Sequence, residues 1–169
     1  GVYEVATQLA GSQVPASALE SFVLPARLPD YQGAWLDSLC SAGDVLICGA
    51  GATGGRDGWV SLHTAEHAPL TLPRPDTSTL DGTALRVLQA FGDSGAYFVA
   101  ELAARLPQET AAPEAGTAAA PLPPLTEAEV EAACWQLFWA GFICPDTFAP
   151  VRGYLAGGST THKIAKPAP

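Results

Sequence analysis

The chain has 169 residues, a formal net charge of −9, 48% hydrophobic residues and only 15% charged residues. That length admits one ordinary domain or two small ones, and the hydrophobic share suffices for a core, which excludes wholesale disorder. Residues 1–75 carry a net charge of −4, residues 76–125 carry −4 and residues 126–169 carry −1, which excludes a broad basic surface for nucleic acid and leaves only local contacts.

No apolar run approaches the roughly 18 residues of a membrane helix. The opening Gly1-Val2-Tyr3-Glu4-Val5 has no basic signal-peptide start. A soluble, cytoplasmic protein with no membrane partner is therefore expected. The chain contains no methionine, which points to a fragment or a processed product. Its four cysteines lie beside apolar residues, as in Leu46-Ile47-Cys48 and Phe142-Ile143-Cys144, and show no CxxC spacing. We read them as reduced core residues.

In chain order, Val2, Val5, Ala6 and Leu9 fall on one helical face, and Gly11 closes that helix. Pro15 stands near the start of a second helix with the stripe Leu19, Phe22 and Val23, which Pro25 and Pro29 end. A third helix is expected over 32–42, with Trp35, Leu36 and Leu39 inward and Gly43 as its stop. Residues 44–48 and 59–63 read as two strands joined by a Gly- and Asp-rich turn. Three short helices and a hairpin are the parts of a winged helix, a helix-turn-helix variant whose hairpin is the wing.

Residues 66–80 read as a linker, and the plan then repeats. Leu80, Ala84, Leu85 and Leu88 mark one helix, and Tyr97, Phe98, Leu102 and Leu106 the next. Residues 107–125 form a Pro/Ala-rich insertion expected to be flexible. Thr126 and Glu129 have capping-box spacing at the head of a helix bearing Val130, Cys134, Leu137 and Phe138. Phe142-Ile143-Cys144 would be a short strand, with its partner within 148–154. Leu39-x-x-Ala42-Gly43-x-Val45 lines up with Leu137-x-x-Ala140-Gly141-x-Ile143. The expected fold is α+β, mainly helical, with two tandem winged-helix-like modules at 1–75 and 76–158, short β-hairpins, and a tail at 159–169.

Several motifs invite a catalytic reading. Gly49-Ala50-Gly51-Ala52-Thr53-Gly54 fits GxGxxG, but a dinucleotide site needs a helix to open there, and here a strand follows. His63-Thr64-Ala65-Glu66-His67 fits HxxEH, yet it leaves a strand and meets Pro69, so a zinc-binding helix is not expected. Glu127, Glu129 and Glu131 suit the first turns of a helix. The aromatic group Trp135, Phe138, Trp139 and Phe142 reads as core or interface, with a base-stacking platform as the alternative. Trp59 with Arg56, at the wing, is the better-placed version of such a platform.

Several blocks together resemble one family: Val14 to Glu20, Leu24 to Arg27, Asp30-Tyr31, Leu36-Asp37, Asp57 to His63, Ala68 to Leu70, Ala133 to Gly141 and Asp146 to Arg152. The set is similar to the C-terminal part of the core region of bacterial large helicase-related (Lhr) proteins, ATP-dependent DNA helicases. The resemblance implies a parent with two motor lobes that hydrolyse ATP with Mg and move 3′ to 5′ on single-stranded DNA. It also implies a further C-terminal domain similar to winged-helix DNA glycosylases, some family members acting on uracil. The chain has no GxxxxGK[ST] and no DExH motif, so no cofactor is expected in this stretch and no catalytic residue is assigned to it. The expected role is that of an accessory region in DNA repair, contacting single-stranded or tailed DNA through Arg27, Arg56, Trp59, Arg152 and Lys163. Other domains of the parent helicase are expected partners. The alternatives are a protein-interaction or self-association module and a glycosylase-like domain.

Overall fold

The computed structural model describes residues 1–92, 95–109 and 123–157 and, of 107–109, the backbone alone. Most of the 107–125 insertion and the whole 159–169 tail, Lys163 included, lie outside the described residues. The chain forms two compact units. The first comprises Gly1–Ile47, Ala52–Leu72 and the described residues from Pro145 onward; the second comprises Cys48–Gly51 and Pro73–Cys144. The first unit is thus discontinuous, where the sequence suggests a contiguous 1–75.

In the first unit, α1 (Val2–Gln8) buries Val2, Val5 and Ala6. A two-residue strand, β1 (Val14–Pro15), precedes α2 (Ala16–Ala18). Pro15 ends this strand, pairing antiparallel with Trp59, and is also the N-cap residue of α2, near the start of the second helix as expected. The next turn, Leu19–Val23, is a π-helix, and Leu24 N–H donates to Leu19 O at 2.9 Å. That wider turn puts Leu19 and Leu24 into the core, five residues apart, and leaves Phe22 74% exposed. The expected stripe of Leu19, Phe22 and Val23 is corrected for this reason: an α-helical period does not describe a π turn.

Helix α3 (Gly33–Ser41) buries Leu36 and Cys40, while Trp35 stays 41% exposed. It ends on Gly43 at φ 79°, where Gly43 N–H donates to Cys40 O and Asp44 N–H to Leu39 O. This is a Schellman stop. Strands β2 (Val45–Gly54) and β3 (Asp57–Thr64) follow, and the three-stranded sheet has the order β1-β3-β2. The helix-helix-helix-hairpin order of a winged helix is in place, and the fold is α+β. A short α4 (Ala68–Thr71) lies inside the expected linker.

The second unit is built on α5 (Gly82–Phe91), α6 (Val99–Glu109) and α7 (Glu127–Trp139). Its core joins Ala84, Val87, Ala90, Leu102, Leu106, Val130, Ala133 and Leu137. Asp81 caps α5 by accepting from Ala84 N–H, and its other oxygen accepts from Gln136 Nε2 at 2.8 Å. Thr126 and Glu129 form the capping box expected of them. Helix α7 ends like α3: Gly141 has φ 81°, Gly141 N–H donates to Phe138 O, and Phe142 N–H donates to Leu137 O. The internal repeat is therefore a repeated helix stop. It is not a repeated hairpin, because Phe142–Cys144 is not a strand and its expected partner is α8 (Ala149–Leu155). Pro150 suits the first turn of a helix.

Candidate nucleic-acid interface

The wing turns at Gly55-Arg56, both with positive φ (67° and 62°). A two-residue loop with two left-handed residues is a type I′ turn, whose twist matches that of the flanking strands. Gly55 adopts this backbone freely, while Arg56 does so at some strain. The turn carries Arg56 out at the tip, exposed, and it makes no hydrogen bond or ion pair among the described residues.

Asp57, at the base of the wing, anchors it. Its carboxylate accepts from Ser17 Oγ at 2.5 Å, Ser17 N–H at 3.2 Å and Gly58 N–H at 2.8 Å. Desolvation acts to raise its pKa, but these hydrogen bonds prevail and hold the carboxyl below the usual range. Trp59 follows in β3, opposite Pro15 and 39% exposed. An exposed guanidinium can meet a phosphate, and a half-open indole can stack on a base.

The other expected contacts fare differently. Arg27 is exposed, its Nη1 donating to Val23 O at 2.9 Å. Arg152 is redirected by the structure. Its Nε donates to Glu20 Oε2 at 2.5 Å, its Nη1 to Asp37 Oδ2 at 2.8 Å, and its Nη2 to Glu20 Oε1, Asp37 Oδ1 and Gly33 O at 2.9, 3.0 and 3.2 Å. Tyr31 OH donates to Glu20 Oε1 at 2.6 Å, and Phe148 N–H to Asp37 Oδ1 at 2.8 Å. The Glu20 hydrogen bond pushes the arginine's pKa up, and burial followed by the same carboxylate pushes Tyr31 up. Four of the five N–H donors of this guanidinium are engaged, and its charge is answered by two carboxylates. Arg152 is a clamp that fastens α8 to α3.

Sequence reasoning missed this clamp, although four of the blocks that carry the family resemblance end on its members: Glu20, Tyr31, Asp37 and Arg152.

The competing motifs also resolve. A Cβ on Gly49 would stand 2.2 Å from Phe138 O and 2.9 Å from Trp139 Cα. The first glycine of GxGxxG therefore serves a close backbone approach. His63 is fully buried, with Nε2 2.8 Å from Ser61 Oγ and Nδ1 2.8 Å from Thr71 Oγ1. Because Thr71 Oγ1 donates to His67 O, it accepts from His63 Nδ1–H, and Nε2 is left to accept from Ser61. Burial lowers the His63 pKa. Among the described residues no three His, Cys, Asp or Glu side chains gather as a metal site. Trp135 and Trp139 stack at 6.3 Å, and Phe138 meets both edge-on, with Phe138 and Trp139 buried. Phe138 and Trp139 of that group are core, and Trp135 and Phe142 are half-buried.

Residues 1–65 match the winged-helix domain of the large helicase-related protein. Over 167 residues, 96% of the chain, it is 40% identical to a Mycolicibacterium smegmatis protein named Lhr helicase and probable uracil glycosylase. The chain belongs to the large helicase-related family. An Escherichia coli K12 relative, named Lhr helicase and uracil glycosylase, is 33% identical over 161 residues, 94% of the chain. The chain spans about a tenth of the length of each of these Lhr proteins. Among its described residues no helix is long and apolar enough to cross a membrane.

Proposed function

We propose that this Lhr segment is a non-motor accessory region of an ATP-dependent DNA helicase acting in DNA repair. It holds part of a single-stranded or tailed DNA at the wing while ATP and Mg chemistry takes place in other domains of the parent. Arg56 and Trp59 form the contact, with Arg27 and Lys163 as further candidates. The observation that carries the reading is the wing itself: a tip arginine without an internal partner, near an exposed indole. Mutating Arg56 and Trp59 together to alanine tests it, with strand affinity read by fluorescence anisotropy. We expect a clear loss. Unchanged affinity refutes it.

A second reading, an interaction or self-association module, draws on the exposed Phe22 and Leu70 and on the acidic charge. It predicts no DNA binding even at low salt and a concentration-dependent mass in sedimentation. The glycosylase activity in the relatives' names is assigned to other parts of those proteins on this reading. Here the partly buried Glu20 and Asp37 are both committed to Arg152.

A further inference from the structure

We infer that this winged helix meets its DNA strand with the wing alone and that α3 takes no part. The inference rests on the DNA-contact reading above and deepens it. In helix-turn-helix proteins the second helix of the motif enters the major groove, where side chains read base edges while neighbouring groups fix the phosphates. The corresponding element here is α3, and every part of its surface is either spent or unsuited to that task.

One stripe, Leu36 and Cys40, is core. The adjoining stripe of Gly33, Asp37 and Ser41 is taken by the segment that leads into α8. Ser41 Oγ donates to Asp146 O at 3.3 Å, Phe148 N–H and Arg152 both bond Asp37, and Arg152 Nη2 reaches Gly33 O. The approach is close, because a Cβ on Gly33 would lie 2.9 Å from Arg152 Nη2.

What remains open is Ala34, Trp35 and Ser38. Helix α3 contains no Lys or Arg at all, and Ser38 Oγ already donates to Ala34 O at 2.8 Å. That strip has no anchor for a phosphate and no fork for a base edge.

The wing supplies the cation that α3 lacks. Arg56 meets a phosphate, and Trp59 offers a ring face; Trp35 on α3 is as exposed, at 41%, but stands on a helix with no Lys or Arg to hold a strand against it.

The test uses the whole chain, with labelled oligothymidylate as the probe. Two double variants are compared with the parent chain: Ala34→Glu with Ser38→Glu on α3, and Arg56→Ala with Trp59→Ala on the wing. Circular dichroism checks that both remain folded. We expect the α3 variant to stay within about twofold of the parent and the wing variant to lose roughly tenfold, as loss of one stacked base implies. If the α3 variant loses binding, the inference falls while the DNA-contact reading stands. If neither variant matters, both fall.

Discussion

Replacing Arg152 by alanine separates a clamp from a phosphate contact. The substitution removes five donor contacts, to Glu20, Asp37 and Gly33 O. The side chains concerned are 32% exposed for Arg152, 18% for Glu20 and 25% for Asp37. Breaking a buried pair costs about 3–5 kcal/mol, and an exposed pair contributes about 0–1 kcal/mol. Tyr31 OH and Phe148 N–H keep one bond to each stranded carboxylate, which trims the loss. We take about 2–3 kcal/mol, or a fall in Tm of roughly 4–12 °C for a chain of this size. Arg152→Lys keeps the charge but not the fork, and it should fall between. Urea and thermal melts followed by circular dichroism measure both variants, and anisotropy measures strand affinity below the transition. The clamp predicts a large stability loss with strand affinity unchanged once the protein is folded. A Tm shift of less than about 1 °C with lost strand affinity would refute it and return Arg152 to the interface.

Three further outcomes are expected. Gly49→Ala forces a methyl against Phe138 O and Trp139 Cα, and because neither backbone atom yields cheaply, the loss should be about 3 kcal/mol by urea melt; a loss within about 0.5 kcal/mol contradicts the close approach. His63 is held neutral by burial, its pKa lowered from 6.5. The unfolded chain therefore binds the proton first, and stability is full above about pH 6.5 and declines as pH falls through that value toward the folded one. Urea midpoints against pH should show this slope in the parent chain and not in His63→Gln. Cys144 is exposed, and its hydrogen bond with Cys48 lowers its pKa, while the same contact, followed by burial, raises that of Cys48. Iodoacetamide should label Cys144 first, and more slowly in Cys48→Ala, as read by mass spectrometry.

The parts of the fold legible in the sequence were those set by local chemistry. The stops at Gly43 and Gly141, the capping box at Thr126 and the wing turn before Asp57 each rest on a few adjacent residues. The parts not legible depended on distant partners. Residues 148–154 were expected to hold the partner of a strand at 142–144, but they form a helix whose Arg152 finds Glu20 and Asp37 more than a hundred positions away. Phe22 was assigned inward on an α-helical period that the π turn at Leu19–Val23 breaks. At the candidate interface, the exposed place of Arg56 on the wing was legible because a hairpin turn fixes what stands at its tip. The ion pairs of Arg152 were not legible because an arginine's partners depend on which carboxylates the fold brings to it.

The most direct test of the wing is the fluorescence of Trp59 itself. Oligothymidylate is titrated into the parent chain and into Trp59→Phe, and tryptophan emission is followed. Trp35 is part-exposed, and Trp139 is buried, so the difference between the two titrations isolates the indole at the wing. A base stacked on Trp59 predicts quenching in the parent chain that is largely absent from Trp59→Phe. Equal quenching in both, or none in either, contradicts the account.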